Sequence, residues 1–353
     1  MNPLPLLISF FGVWLGAGTG SDTSRVIALL ERARGANSPP VLSHSDKLLE
    51  GQNPVIDFKA VQKAGFPVVV WTVDDAIRMR RLIEERIDGI ISDRPDLLQQ
   101  ELIRARKMAP ADAGYFGRFD VEGHRGGRDL RPENTLPAFE AGLDHLITTI
   151  ETDTGVTADR VSLISHEQFI NPQTCRSADS SSYTEANKIW IKDIEMADAQ
   201  RRFICDKVFR GPEQKNDLRL SPAAVAFARE KSLISPYVPI NVEQLYEFVH
   251  FYAQFYKDGH GKEQPEAELR WRNAEKVRFN LETKLTPEAE AAGHTFGPEV
   301  FTQTLCGAIE AHQMEARSDV QSFDFRTLAL TQKLYPRIRT VYLIETIAQS
   351  GGQ

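Results

Sequence analysis

This chain is poor in the residues that build metal clusters and disulfide frameworks. Only three cysteines occur in 353 residues: Cys175, Cys205 and Cys306. No two have a C-x-x-C spacing, which excludes the common zinc and redox motifs. Three reduced, partly buried thiols are one reading, and a Cys175–Cys205 disulfide in an exported protein is the other. An excess of positive charge is also lacking. The formal net charge is -7, which argues against a nucleic-acid partner, because tracking a phosphate backbone needs a broad basic face. Long apolar runs are missing too. Leu4 to Leu15 is too short to span a bilayer, so no transmembrane segment is expected. A signal peptide would want a positive start, and no Lys or Arg precedes this run, although Ala17-Gly18 has the small residues of a cleavage site. A buried barrel strand is the competing reading. The compartment stays open between cytoplasmic and periplasmic or secreted. No internal repeat and no low-complexity tract occurs. With 41% hydrophobic and 26% charged residues, the chain has the composition of a globular protein with a large core.

The pattern that is present alternates strand and helix. Pro67 to Val73 is a Val-rich run suited to a strand buried on both faces. Asp74 and Asp75 offer N-caps, and Ala76, Met79, Leu82 and Ile83 follow at helical spacing. Gly89 to Ser92 predicts a second short strand. Pro95 opens a helix that runs to about Lys107. Residues 108–118, punctuated by Pro110, Gly114 and Gly117, read as a linker. Further strands are expected at Phe119 to Gly123, Thr148 to Thr152, Val161 to Ser165, Val277 to Thr283, Val320 to Phe323 and Thr340 to Ile344, with a helix from Thr135 to about Asp144. Residues 176–277 show no strand-helix alternation and read as a helical insertion. Within them Tyr246, Val249 and Tyr252 form an aromatic stripe at helical spacing. Core packing is its first reading, and a lipid-facing surface the second.

Chemistry concentrates at predicted strand ends, where parallel barrels carry their sites. Glu151 and Asp153 are two apart, so both carboxylates point to one face. Such a pair repels itself unless a cation or proton intervenes, and a hard divalent ion with oxygen ligands is the natural filler. A solvated strand end is the plainer alternative. Glu282 and Lys284 repeat the spacing, as a third ligand and a phosphate-binding cation or as a structural salt bridge. His124 and His166 also end strands and could act as general base and general acid. Arg125 offers a planar fork for phosphate. The other histidines, His44 among them, read as structural. Gly16-Ala17-Gly18-Thr19-Gly20 lacks the context of a phosphate loop and reads as a turn.

Together these residues form a recognisable set: His124-Arg125-Gly126, Pro132-Glu133-Asn134-Thr135, Glu151-Thr152-Asp153, His166-Glu167, Glu282-Thr283-Lys284, Ser322-Phe323-Asp324, Trp71-Thr72 and Gly89-Ile90-Ile91-Ser92-Asp93. The set resembles the glycerophosphodiester phosphodiesterase family. Its order does not: the segments that close the family's barrel come first here. Trp14-Leu15-Gly16 and Ser38-Pro39 also look like elements lying before the Trp-Thr strand. The resemblance implies a TIM-type (β/α)8 barrel, circularly permuted, with a helical insertion. Residues 1–107 would be the closing part, 108–118 the linker and 119–345 the opening part, all one domain. It implies metal-dependent hydrolysis of small glycerophosphodiesters to glycerol 3-phosphate and an alcohol. Ca2+ or Mg2+ would sit on Glu151, Asp153 and Glu282. His124 and His166 would be the acid-base pair. Arg125 and Lys284 would hold phosphate, Trp71 would pack on the glycerol, and Glu133 would orient Arg125 or join the metal's outer shell. Glu167 stands where the family has Asp. Two rival functions remain: a catalytically silent barrel that binds phosphate esters or a protein partner, and a phosphodiesterase directed at lysophospholipids. The oligomeric state and the alcohol of the substrate stay open.

Overall fold

The computed structural model describes residues 22–35, 38–49 and 54–345. The apolar run Leu4–Leu15, the turn at Gly16–Gly20 and Trp14-Leu15-Gly16 lie outside them. Eight parallel strands close into a barrel. In chain order they are β1 (Val41–Ser45), β2 (Val68–Trp71), β3 (Gly89–Ser92), β4 (Asp120–Gly123), β5 (Thr149–Val156), and, after three short strands outside the ring, β9 (Arg278–Thr283), β10 (Ser318–Ser322) and β11 (Arg339–Ile344). The three are β6 (Ser162–Ile164), antiparallel to β5, and the antiparallel pair β7 (Arg176–Ser177) and β8 (Phe203–Ile204). Two junctions join the part before the linker to the part after it: β1 pairs with β11 and β3 pairs with β4, both in parallel. The β4–β5 pairing completes the ring, so no barrel strand keeps a free edge.

Local sequence explains the elements. β2 is Val68-Val69-Val70-Trp71, and its valines are buried on both faces, as a helix-covered parallel strand requires. Asp75 caps the next helix, Ala76–Glu84, by accepting from Arg78 N at 2.8 Å. Pro95 starts helix Pro95–Met108, whose last turn carries Arg106 and Lys107 against the helix dipole. After β4 the backbone turns sharply through Arg125, Gly126 and Gly127, with φ of 49°, 88° and 124°. A Cβ on Gly126 would lie 2.7 Å from the Ala138 carbonyl carbon. Only glycine lets this turn press against helix Leu136–Asp144.

Several sequence expectations are revised. β1 carried no clear strand signal, yet its five residues are all buried in the ring. Val161–Ser165 is indeed extended, but it folds back on β5 as antiparallel β6 instead of entering the barrel. The segment 108–118 is a connection made of helical turns, Pro110–Asp112 and Ala113–Phe116. The segment 176–277 divides between two cores. Helices Pro222–Glu230, Val242–Lys257 and Ala267–Ala274 pack into the main hydrophobic core with the barrel's outer layer. A smaller core gathers Leu163, Ile170, Ile191, Met196 and Phe203. Tyr246, Val249 and Tyr252 are buried in the main core, so that stripe is not a lipid-facing surface. Cys175 and Cys205 are joined by a disulfide in the smaller core, and Cys306 is free and buried. Among the described residues, no helix is long and apolar enough to cross a membrane.

Candidate active site

Inside the barrel, Val41, Val69, Ile91 and Val341 form an apolar plug. Above it the strand ends open into a cavity of about 630 Å3. Register places the polar groups. Asp153 lies opposite Glu282 in the β5–β9 pair, and Glu282 opposite Gln321 in the β9–β10 pair. Ser92 lies opposite Gly123, which sets Asp93 beside His124. Thus the segments that come first in the chain share one mouth with those that follow the linker.

Glu151, Asp153 and Glu282 each offer an oxygen within 4.8 Å of the others, and all three are buried. Each carboxylate is held separately. Glu151 accepts from Arg125 N at 3.0 Å and from Gln321 Nε2 at 2.5 Å. Asp153 accepts from Asn134 Nδ2 at 3.1 Å and stands 3.3 Å from Arg125 Nε. Glu282 meets Lys284 Nζ at 2.9 Å, and the same ammonium is 3.4 Å from Asp153. Burial, reinforced by Asp153 and Glu282, pushes Glu151 well above the usual carboxylate range. Burial likewise raises Glu282 to about 7, against the pull of Lys284. Asp153 resists burial because Lys284 and Arg125 flank it, and its pKa lies below the ordinary value. Even with two cations in contact, the cluster is short of positive charge.

The two histidines are anchored alike. Nδ1 of His124 bonds Asp93 Oδ1, and its Nε2 is 3.9 Å from Glu151. Nδ1 of His166 is 2.8 Å from Glu167 Oε1. Glu167, longer than Asp by one methylene, thus turns back onto the imidazole that precedes it. Burial lowers the pKa of both rings, for His124 against the Asp93 bond and for His166 with the help of Lys284. Both rings line the cavity, as do Arg125, Lys284 and Trp71. Glu133 lies behind Arg125 and accepts from its Nη1 at 2.7 Å. Trp71 meets Phe323 edge to face at 5.6 Å.

All nine residues singled out in the sequence are therefore brought to one barrel mouth. Others had no role assigned. Asp93 follows directly on β3 within the Gly-Ile-Ile-Ser-Asp motif and Asn134 has a positive φ within Pro-Glu-Asn-Thr, and these strand-end and turn positions are what marks them in the sequence. Gln321 belongs to β10, two residues before Phe323. Arg210 had no signal, because it sits in an irregular loop.

The sequence model of the glycerophosphoryl diester phosphodiesterase family matches residues 21–97 and 124–351. No curated protein matches the chain significantly. Among solved structures, the chain is similar to a Silicibacter pomeroyi protein assigned as a glycerophosphoryl diester phosphodiesterase, with TM-score 0.45 and 19% identity over 63% of each chain. It is also similar to an Oleispira antarctica phosphodiesterase solved with the product sn-glycerol-3-phosphate, with TM-score 0.43 and 15% identity over 65% of this chain and 68% of that one. A third similar structure, a glycerophosphodiester phosphodiesterase from Agrobacterium tumefaciens, gives TM-score 0.36 and 14% identity over 62% and 64%. The chain spans less than two thirds of the first of these, 63% of its length. The family's sequence model covers both sides of the linker and takes in every residue that meets at the barrel mouth, so this chain belongs to the glycerophosphoryl diester phosphodiesterase family.

Proposed function

We propose that the chain hydrolyses glycerophosphodiesters to glycerol 3-phosphate and an alcohol, assisted by a divalent cation. The observation that carries this reading is the buried triad of carboxylates flanked by two imidazoles and two cations. The donor set fits a hard cation, since it consists of carboxylate oxygens only. The charges fit as well. Glu151, Asp153, Glu282 and the Glu133 paired with Arg125 outnumber Arg125 and Lys284 by two negative charges, and a divalent ion offsets that excess so that a phosphodiester anion is no longer repelled. Held by Glu151, Asp153 and Glu282, such an ion would supply charge stabilisation to the phosphoryl oxygens. Ca2+ and Mg2+ both meet this description.

The chain's own groups have distinct tasks. Arg125 is aimed by Glu133 and Lys284 by Glu282, so both cations are pre-oriented for phosphoryl oxygens and need no reorganisation as charge grows. Trp71 and Phe323 form an apolar wall for the glyceryl or alcohol carbons. Each imidazole is tied at Nδ1 to a carboxylate, which leaves Nε2 for the substrate. One Nε2 takes the proton of the attacking oxygen as the new P–O bond forms. The other gives a proton to the alkoxide as the old P–O bond breaks. The deciding experiment is release of glycerol 3-phosphate from glycerophosphocholine in the presence of Ca2+ or Mg2+. Turnover supports the reading. Binding of glycerol 3-phosphate without turnover of any diester would favour the silent barrel instead.

His124→Ala and His166→Ala are each expected to lower kcat by about 10²-fold or more, the scale of losing a general acid or base. Folding should survive, because both rings border the cavity. Near-parental turnover in either variant would contradict the pairing.

We further propose that the chain is a circular permutation of the family's order. The β3–β4 pairing supports this: the strand that ends with Ile91 and Ser92 lies beside the strand that leads to His124. The connection through residues 109–119 is short enough to join an old end to an old start.

A further inference from the structure

Arg210 lies outside every family motif in the chain and does not line the cavity. Its guanidinium still enters the site's network. Nη2 donates to Asp93 Oδ2 at 2.5 Å, and Nε donates to Asp129 Oδ1 at 2.8 Å. The other oxygen of that Asp93 carboxylate is the one bonded to His124 Nδ1. Arg128 Nε adds a second cation 3.1 Å from Asp93 Oδ2. Asp74 presses from the other side: its Oδ1 accepts from Asp93 N at 2.7 Å. Burial opposes charge on Asp93, but His124, Arg128 and Arg210 outweigh it and hold the pKa at about 2.

The loop that presents Arg210 is built for the purpose. Gln214 is only 4% exposed. Its Oε1 accepts from Phe209 N at 2.8 Å and Arg210 N at 3.0 Å, and its Nε2 donates to Arg128 O at 2.7 Å. The Cys175–Cys205 disulfide anchors the loop upstream. A surface arginine paired by chance would not need a buried glutamine to fix its backbone.

We propose that Arg210 is a positioning residue for His124. It occupies Oδ2 of Asp93, stops the carboxylate from turning, and so keeps Oδ1 on Nδ1 of His124 with Nε2 aimed into the cavity. The arrangement follows the logic of a base oriented by a third group, with a fourth group added from a loop outside the barrel strands. The proposal rests on the reading of His124 as a proton carrier.

The test uses Arg210→Ala, Arg210→Gln and Arg210→Lys, with Arg219→Ala as control, since the Arg219 side chain is 90% exposed and pairs with its neighbour Asp217. Two quantities are read. The first, without substrate, is the downfield NMR resonance of the His124 Nδ1 proton, assigned by its loss in His124→Ala. The second is kcat and KM on glycerophosphocholine. Arg210→Ala and Arg210→Gln should lose or shift the resonance and lower kcat by about 10-fold or more, as removal of an orienting partner does in other sites. KM should hold, because Arg210 does not border the cavity. Arg210→Lys should recover part of kcat, because a single ammonium can replace the charge but not the two-carboxylate fork. Arg219→Ala should match the parent. The proposal is overturned if the Ala and Gln variants keep the resonance and the parental kcat, or if only KM rises. If the parent turns over no diester, the phosphodiesterase reading falls, and the resonance alone still decides whether Arg210 positions His124.

Discussion

A protein lacking residues 1–114 is expected to lose cooperative folding and all turnover. Such a chain keeps β4, β5, β9, β10 and β11 but loses β1, β2 and β3. β11 and β4 would then present unpaired edges where β1 and β3 had bonded them. Exposed edges of parallel strands template aggregation. The loss inside is as large. Val41, Val69 and Ile91 are three of the four buried residues of the barrel plug. Outside, Leu82, Ile83, Leu98 and Leu102 leave the main core. Burying a large aliphatic side chain is worth about 1.5–3 kcal/mol. Losing several at once exceeds the total stability of a typical domain, roughly 5–15 kcal/mol. Asp93 and Trp71 go with the same segment, so the site would also be incomplete. Circular dichroism, size-exclusion chromatography and an activity assay check this. A cooperative thermal transition and normal turnover in the shortened protein would sink the single-barrel reading, and with it the permutation.

Glu151→Gln, Asp153→Asn and Glu282→Gln are each expected to lower turnover by roughly 10²-fold or more, as expected when charge stabilisation of the phosphoryl group is lost. Exhaustive chelation of the parent should remove turnover, and added Ca2+ or Mg2+ should restore it. A stability measurement separates a ligand from a structural acid. In the cation-free protein burial and the neighbouring carboxylates already favour a proton on Glu151, so Glu151→Gln, which is neutral at every pH, should leave the melting temperature unchanged or raise it. The parent should gain stability with rising cation concentration as RT ln(1 + [L]/Kd), and the variants should gain less. Glu151 and Glu282 have raised pKa values, the latter about 7. The cation must therefore displace protons, and its affinity should weaken as pH falls below about 7. Full turnover after chelation, or a variant that loses stability without losing cation binding, would remove the triad as a metal site.

The parts of this protein that were legible in the sequence are those governed by short-range rules. Val68 to Trp71, Gly89 to Ser92 and their capped helices follow from apolar runs and N-caps. The shared face of Glu151 and Asp153 follows from the two-residue period of a strand. His124, Arg125, His166, Glu282 and Lys284 were legible because they end or follow a strand, Glu151 and Asp153 because they share a face of one that runs on to Val156, and Trp71 and Glu133 only through the motifs the chain shares with the family. What was not legible depends on partners distant in the chain. β1 contains Ser43, His44 and Ser45, and no local pattern marks it as a strand. It is one because β2 and β11 saturate its backbone on both sides. Val161–Ser165 has a strand's composition, but only the turn at Thr157 and the pairing with β5 decide that it stays outside the barrel. Helix Val242–Lys257 looked like part of an appendage, and its aromatic stripe became core because the barrel left a face uncovered. Cys175 and Cys205 are thirty residues apart, and only the fold of the smaller core brings them together. Arg210 is the sharpest case. Its chemistry is that of any arginine, and its position over Asp93 exists only once β3 lies beside β4 and Gln214 has closed the loop above them. Side-chain type and period are properties of a segment, whereas register, closure and the far partner of a buried charge are properties of the assembled chain.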